Sequence, residues 1–304
     1  MKMDYTVAPC YEGITVRDYL RSKIGLSRRI LIRLKQTGGG ICVNGTQKTV
    51  RCILRAGDVL SLALEDCAED ENPLAAPSGV PVDILYEDGE LIAVDKPSGM
   101  VTHTSHGHHD DSLQNAVAGI FAKRGQPFVF RAINRLDRDT SGVVLIAKSQ
   151  LTAYKMSLEM QSGGIHKVYR AVLAGRIEPP DGKIERYIRR RQESIIERIA
   201  CAEGIPSEYA LTEYKTLASR DEMSVVDARP ITGRTHQLRV HFAYAGHPII
   251  GDDLYGSADC RIKRQALHAR SLTFTPPSGG EMTVTSPIPA DIRSLCAGFA
   301  NDEL

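Results

Sequence analysis

The sequence predicts an α+β protein of two domains, in which a large domain with a mixed β-sheet follows a small basic α/β domain. Three observations support this fold class. The chain of 304 residues is longer than one average core requires. Strand-like and helix-like segments follow one another without the regular alternation of a parallel α/β fold. The charge changes abruptly near residue 65. We therefore place the two domains at residues 1–75 and 76–304.

The first domain is defined by its charge. Residues 15–64 contain ten Lys or Arg residues against two acidic ones, which leaves a formal charge of +8. The next fifteen residues, EDCAEDENPLAAPSG, contain five acidic residues and no basic one, together with two prolines and a glycine. This composition is typical of a linker, and it places the end of the first domain near residue 75.

Two short helices and a hairpin are predicted in the basic segment. Apolar residues recur at helical spacing in VRDYLRSKIGLSRRILIRLKQTG, and Ser27 is the expected N-cap of the second helix. Three glycines, residues 38–40, end that helix. The stretch ICVNGTQKTV then predicts a β-hairpin with Asn44 and Gly45 at its turn.

Basic side chains cluster on the second of these helices. The residues concerned are Arg28, Arg29, Arg33 and Lys35. A solvated helix face is the usual explanation of such a run. Here the excess charge has one sign and lies on a compact unit, which favours contact with nucleic-acid phosphates.

The second domain begins with DILYEDGELIAVDKPSGM, which predicts two strands joined at an Asp-Gly turn. Further strands are indicated by the apolar run from Val143 to Lys148 and by HKVYRAVLAG and MSVVDARP. Helices are indicated by LTAYKMSLEMQSG and HQLRVHFAYAG. The irregular order of these segments predicts a mixed sheet.

A dense charge cluster, INRLDRDTSGVV, stands directly before the strand at residue 143. It contains Arg135, Asp137, Arg138 and Asp139. One interpretation is a polar loop with a local turn hydrogen bond. Another is the D-x-D-x-T motif of Mg²⁺-dependent phosphatases, which would use Asp137 and Asp139. That motif follows a hydrophobic strand, whereas the apolar strand here comes after the motif, so the context speaks against a phosphatase.

Five segments together resemble the RluA-type pseudouridine synthases, which convert uridine in RNA to its C-glycoside isomer. In chain order they are YEDGELIAVDKPSGMVTH, NRLDRDTSGVVLIAKS, KVYRAVLAG, RPITGRTHQLRVHFAYAGHPIIGDDLYG and LHARSLTF. The resemblance runs from about Val80 to Pro289. In front of it, LSRRILIRLKQTGGGICVNG followed by LRAGDVL resembles the S4 RNA-binding module. Both resemblances together cover nearly the whole chain.

The resemblance implies an active site. Asp137 matches the catalytic aspartate of the family, Tyr169 its active-site tyrosine, and Arg239 its basic partner. Arg135 is placed to meet backbone phosphate. The sequence departs from the family at Asn134, where histidine is commonest. Because either side chain can bond a neighbouring backbone group, we interpret this position as a support for the site.

The implied reaction breaks the N1–C1′ bond and joins C5 to C1′ without redox change or group transfer. It therefore requires no cofactor and no metal. The carboxylate of Asp137 either attacks C1′ or removes the C2′ proton, and the sequence leaves both routes open. Arg239 is expected to favour the ionised carboxylate. Tyr169 is expected to stack on the extruded uracil, and its hydroxyl is a candidate for a proton step at C5. A competing class is an inactive RNA-binding protein, against which the intact Asp137, Tyr169 and Arg239 argue.

The expected partner is structured RNA, with rRNA favoured over tRNA, and no membrane. Seven scattered cysteines without a C-x-x-C pair favour a reducing cytoplasm, and we expect a monomer. HTSHGHHDD has no pattern that supports a metal site, and Gly251-Asp252-Asp253 indicates a turn. The basic run IERYIRRRQES is either an RNA-facing strand or an exposed sheet edge.

Overall fold

A computed structural model describes residues 2–26, 28–63, 77–105, 107–204, 207–220, 222–256 and 258–299, with the backbone alone at Lys2 and Arg29. The chain forms two compact units. One comprises residues 1–74 and 149–154, and the other residues 75–148 and 155–304. The boundary that we predict near residue 75 lies outside the described residues.

The first unit contains a small antiparallel sheet and two helices. Its elements are β1 (Lys2–Thr6), a 3-10 turn (Pro9–Tyr11), α1 (Val16–Ser22), α2 (Arg28–Gln36), β2 (Ile41–Val43), β3 (Thr46–Gln47) and β4 (Val59–Ala63). The strand order is β1-β4-β2-β3. The two predicted helices and the hairpin are thereby confirmed, and β1 and β4 are additions to the prediction.

Local signals explain these elements. The Thr15 hydroxyl caps α1 by accepting a bond from the Asp18 N–H at 3.2 Å. The hairpin turn places Asn44 and Gly45 at φ of 50° and 75°, the positive values that a type I′ turn requires. The predicted cap Ser27 lies outside the described residues. The apolar sides of both helices are buried with Leu60 and Leu62 of β4.

The second unit is dominated by one large sheet. Its elements are β5 (Asp83–Glu87), β6 (Leu91–Lys96), α3 (Leu113–Lys123), β7 (Ser141–Ala147), β8 (His166–Ala174), β9 (Asp181–Arg190), β10 (Arg198–Cys201), β11 (Glu208–Arg220), β12 (Met223–Pro230), α5 (Gln237–Tyr244), β13 (Leu267–Phe274), β14 (Met282–Thr285) and α6 (Ala290–Leu295). The helix α4 (Gln150–Gln161) is divided, with residues 150–154 in the first unit and 155–161 in the second. The strand order is β10-β9-β11-β12-β8-β13-β7-β6-β5, and β14 also pairs with β13.

The sheet is mixed, as the sequence predicts. β7 and β13 run parallel, whereas the neighbouring pairs β6–β7 and β8–β13 are antiparallel. Every residue of β7 is buried, which explains why its sequence is a continuous apolar run. The charge cluster thus stands where the chain enters the interior strand of an α+β fold.

The position of β9 in the sheet excludes one of the two interpretations of the segment IERYIRRRQES. β9 pairs with β11 on one side and with β10 on the other. It is therefore an interior strand, and the interpretation as an exposed edge is wrong. Among the described helices, α4 is the longest at 12 residues, and none is long and apolar enough to cross a bilayer.

Candidate active site

The backbone around Asp137 is fixed on both sides. Before it, the Thr102 hydroxyl donates to the Leu136 carbonyl at 2.9 Å and accepts from the Leu136 N–H at 3.2 Å. After it, the Thr140 N–H donates to the Asp137 carbonyl at 3.1 Å and closes a turn. The Asp137 side chain remains 30% exposed. The turn therefore presents a carboxylate to solvent directly before a buried strand.

Asn134 supports this turn from within the protein. Its side-chain amide donates to the Val143 carbonyl at 3.0 Å, and its oxygen accepts from the Leu145 N–H at 2.9 Å. Asn134 is buried and both its donor and its acceptor are used. The amide thus fills the backbone-bonding role that we expect at this position, where the family most often has histidine.

Lys96 clamps the loop that follows β6 to the Asp137 turn. The side chain is fully buried, and its Nζ donates to the carbonyls of Pro97 at 2.9 Å, Met100 at 2.7 Å and Arg138 at 2.9 Å. Burial lowers the pKa of Lys96 to about 7, and the nearby charges of Asp139 and Asp137 oppose this shift. Three carbonyl acceptors match the three N–H groups of an ammonium, so the geometry favours the charged form.

We expect Lys96→Met to lower both stability and turnover. Three buried carbonyls would lose their donor, at a cost of roughly 2 to 4 kcal/mol in the free energy of unfolding. The freed turn would misplace Asp137, and a shift of about 1 Å can cost on the order of a hundredfold in rate. Urea unfolding and single-turnover rates measure the two effects.

Lys148→Met is the matched control, because Lys148 is a half-buried lysine that bonds Glu87 and the Asp88 carbonyl away from the turn. It should lose stability and keep its saturated rate. A wild-type rate in a folded Lys96→Met variant would contradict the positioning role of Lys96.

Glycine at position 142 brings Asp137 and Tyr169 together. Gly142 has φ of +117°, and a Cβ there would overlap the backbone of Ala269 on β13. On its other side, Ala269 pairs with Tyr169 on β8. Close approach of β7 to β13 therefore carries the turn toward the tyrosine, and only glycine allows it.

Tyr169 is buried, with 9% of its surface exposed. Burial raises the pKa of Tyr169 above its ordinary value, and the charge of Asp137 adds to this shift. The phenol is therefore neutral at physiological pH. A neutral phenol offers a flat face and a hydrogen-bond donor.

Two side chains from the start of α5 face the carboxylate. Arg239 Nη1 lies 3.7 Å from Asp137 Oδ2, and His236 Nε2 lies 3.9 Å from the same oxygen. His236 precedes α5 in a left-handed conformation with φ of 56°, which turns the chain into the helix. Asp137 thus has a guanidinium and an imidazole beside it.

The main partner of Arg239 is Asp252. Arg239 Nε and Nη2 donate to its two oxygens at 2.7 Å each. Asp252 is fully buried, and it also accepts the N–H groups of Leu254 and Tyr255 at 3.1 Å. Arg239 therefore lies beside Asp137 as predicted, but at 3.7 Å. The shorter contacts are to Asp252, which holds the guanidinium in place and which the sequence did not assign to the site.

His236 is the second residue that the sequence analysis did not assign. Its Nδ1 lies 2.8 Å from the Tyr255 hydroxyl, which accepts the Arg198 N–H at 2.8 Å. Burial lowers the pKa of His236, and the charge of Asp137 opposes this shift. The signal in the sequence is the motif R-T-H-Q-L-R, in which His236 stands three residues before Arg239.

Asp137, Tyr169, His236 and Arg239 line one cavity of about 720 Å³, large enough for a nucleoside. All four predicted site residues line it: Asp137, Tyr169, Arg239 and Arg135. Its described lining contains five cationic side chains, which are Arg135, Lys167, Arg229, Arg234 and Arg239, and a single carboxylate. The site is therefore a positively charged cavity that contains one aspartate.

The basic residues of α2 belong to the other unit. Arg28 and Lys35 are exposed, whereas Arg33 is half-buried and donates to Gln150 at 2.8 Å. The side chain of Arg29 lies outside the described residues. Two of the four predicted RNA contacts are thus exposed on the helix surface.

Two histidines of the segment HTSHGHHDD contact an acidic and an aromatic side chain. His108 Nδ1 lies 2.8 Å from Asp111, and the ring of His103 packs edge-on against Phe130 at 5.3 Å. His106 lies outside the described residues. Within the described ranges, no three His, Cys, Asp or Glu side chains are grouped as a metal site would require. Asp252, the other candidate, binds a guanidinium.

The fold and the cavity are those of an enzyme that binds a polyanion at a site with one carboxylate. A family model described as RNA pseudouridylate synthase matches residues 90–244. An uncharacterized RNA pseudouridine synthase of Bacillus subtilis is 36% identical over 286 residues, which cover 94% of this chain and 99% of that protein. The chain belongs to the RNA pseudouridylate synthase family, as the RluA-type resemblance implies, and it is an isomerase that forms pseudouridine in RNA.

Further relatives are also named as pseudouridine or pseudouridylate synthases. The ribosomal large subunit pseudouridine synthase D of Xanthomonas campestris is 31% identical over 284 residues, or 87% of this chain and 82% of that protein. The solved structure of human RNA pseudouridylate synthase domain containing 1 is 28% identical, with a TM-score of 0.56 over 68% of this chain and 83% of that one. Human RNA pseudouridylate synthase domain containing 4, at 22% identity and a TM-score of 0.55, shares the fold.

Proposed function

We propose that this synthase modifies uridine in the RNA of the large ribosomal subunit and that Asp137 performs the reaction. The observation that carries the proposal is the single carboxylate among five cationic side chains in a nucleoside-sized cavity. Polyanionic RNA fits this charge, because basic side chains neutralise phosphate. The large-subunit name of several relatives, at 30 to 32% identity, supports the choice of rRNA over tRNA.

In the proposed reaction, the target uridine is flipped into the cavity, where Asp137 meets its ribose. Asp137 attacks C1′ or takes the C2′ proton, and the N1–C1′ bond breaks. The uracil turns and C5 bonds to C1′, which either breaks the Asp137–C1′ ester bond and releases the carboxylate or returns the proton from Asp137 to C2′. One proton leaves C5 and one is taken up at N1. Atoms and charge balance without a cofactor or a metal ion.

The neighbouring side chains have separate roles in this proposal. Tyr169 stacks on the uracil as a neutral phenol. Arg239 favours the ionised form of Asp137 across 3.7 Å, and Asp252 keeps it in place. Arg135, exposed at the cavity, contacts backbone phosphate.

We further propose that the first unit is an S4-like RNA-binding domain. Its helix-helix-hairpin order matches that resemblance, and Arg28 and Lys35 are exposed on α2. The enzyme is proposed to act as a monomer in the cytoplasm, where its RNA is found. A reducing compartment suits the six described cysteines, all of which are free.

The double variant Arg28→Gln/Lys35→Gln should weaken RNA binding and leave the saturated single-turnover rate unchanged. Each lost phosphate contact removes roughly 0.7 to 0.9 from the slope of log K against log salt. Binding across a salt series measures the slope. The control Arg176→Gln/Lys263→Gln removes the same charge from exposed sites on the other unit. Equal slopes for the two double variants would contradict phosphate binding by α2.

The test of the proposed substrate is a map of pseudouridines in rRNA and tRNA from a deletion strain and its parent. We expect the deletion to remove at least one pseudouridine from large-subunit rRNA. The wild-type gene should restore it, and an Asp137→Asn copy should not. Loss confined to tRNA would overturn the proposed substrate, and restoration by Asp137→Asn would overturn the role of Asp137.

A further inference from the structure

A second cavity, of about 410 Å³, lies between the β9–β10 hairpin and the loop that precedes α5. Four arginines line it: Arg189, Arg190, Arg198 and Arg234. The one acidic residue in its described lining is Glu208. This arginine cavity shares Arg234 and Thr235 with the catalytic cavity, so the two are adjacent.

Its positive charge is only partly compensated. Glu208 Oε1 is already paired with Arg234 at 2.9 Å. Arg198 donates to the carbonyls of Ile196 and Glu197, which are neutral acceptors. In the described part of the chain, Arg189 and Arg190 show no side-chain hydrogen bond and no ion pair. The cavity therefore holds donors and positive charge that no described residue pairs with.

The strand register places two of these charges directly opposite each other. Arg190 on β9 and Arg198 on β10 are cross-strand partners, and both line the cavity. Like charges directly opposite each other destabilise a sheet. Neighbouring Arg191 differs, because it pairs with Glu197 at 3.1 Å and does not line the cavity. An anion held between Arg190 and Arg198 would relieve the repulsion.

The cavity is also linked to the catalytic carboxylate. β10 donates the Arg198 N–H to the Tyr255 hydroxyl, Tyr255 bonds His236, and His236 faces Asp137. A polyanion that enters the catalytic cavity would therefore continue past Arg234 into the arginine cavity. Guanidinium groups bind phosphate oxygens with two parallel hydrogen bonds, which suits a phosphodiester on this path.

We propose that the arginine cavity binds a backbone phosphodiester of the RNA strand next to the target uridine. This inference rests on the proposed function and adds a place where the strand is held while the base is flipped. Arg190 is its principal contact, since it has no other partner among the described residues. Such a contact sets affinity and register, and it leaves the bond-breaking step unchanged.

The test compares two adjacent arginines, Arg190→Gln in the cavity and Arg191→Gln outside it. Both variants lose one charge from an exposed residue of the same hairpin. Binding of an in vitro transcript of large-subunit rRNA is measured across a salt series, with rates at saturating enzyme. We expect Arg190→Gln to bind roughly tenfold more weakly and to lose about 0.7 to 0.9 from the salt slope. Arg191→Gln should stay close to wild type, and both should keep the saturated rate.

Equal effects of the two variants would mean that net charge alone matters, and they would overturn the inference. Calorimetry with inorganic phosphate at constant ionic strength separates the phosphodiester from a free anion. Saturable phosphate binding that Arg190→Gln removes, with RNA affinity unchanged, would also overturn it. A wild-type enzyme that binds the transcript but forms no pseudouridine would instead overturn the proposed substrate and leave the binding comparison valid. Absence of binding would overturn both.

Discussion

Asp137→Asn should reduce pseudouridine formation by roughly a thousandfold or more, because the reaction loses its general base or nucleophile. The amide has the shape of the carboxylate, but it neither attacks C1′ nor accepts the C2′ proton. RNA affinity should be preserved, since the five cationic side chains of the catalytic cavity remain. Single-turnover assays with excess enzyme measure the rate, and filter binding measures the affinity.

The structure explains why this variant should fold. The backbone on both sides of position 137 is held by Thr102 and Thr140. Arg239 keeps its bidentate partner Asp252. Asp139→Asn is the matched control, because Asp139 pairs with exposed Arg138 and should change the rate little. An Asp137→Asn enzyme at the wild-type rate would remove Asp137 from the mechanism, and a collapsed Asp139→Asn enzyme would revive the two-aspartate motif.

The structural features that the sequence predicts correctly are those that depend on local signals. The Asn44–Gly45 turn and the apolar run of β7 each depend on a few adjacent residues, so the pattern alone determines them. The placement of Asp137, Tyr169, Arg239 and Arg135 at one cavity agrees with the ordered motifs that imply a common site. Their roles remain predictions until the variants are measured.

Tertiary contacts account for what the sequence did not reveal. The Lys96 clamp joins residues 42 positions apart, and its donors are saturated by backbone carbonyls that have no sequence signature. The sequence alone does not place β9 within the sheet, because an interior strand and an edge strand can carry the same basic run. The pairing of Arg239 with Asp252 depends on a turn that follows α5, which spacing alone does not place beside the guanidinium.

Loss of the buried ion pair between Arg239 and Asp252 should cause the largest change in the free energy of unfolding. Asp252→Asn would leave the Arg239 guanidinium buried without its counter-charge, which should cost roughly 3 to 5 kcal/mol in the free energy of unfolding. The surface pair of Arg261 with Asp259 is the matched control. It also has bidentate hydrogen bonds, but its arginine side chain is 43% exposed. Asp259→Asn should therefore cost only about 0 to 1 kcal/mol.

A double variant, Arg239→Met/Asp252→Leu, separates stability from catalysis. Replacement of a buried pair by apolar side chains of similar size is often neutral. The double variant should therefore recover part of the stability that Asp252→Asn loses, and the remaining loss reflects the Leu254 and Tyr255 N–H groups that no longer have the Asp252 carboxylate as acceptor. Activity should not recover, because Arg239 also faces Asp137 at 3.7 Å. Urea unfolding and single-turnover rates of the two single variants and the double variant test this. A stable double variant with the wild-type rate would show that Arg239 is structural alone and that Asp137 needs no guanidinium beside it.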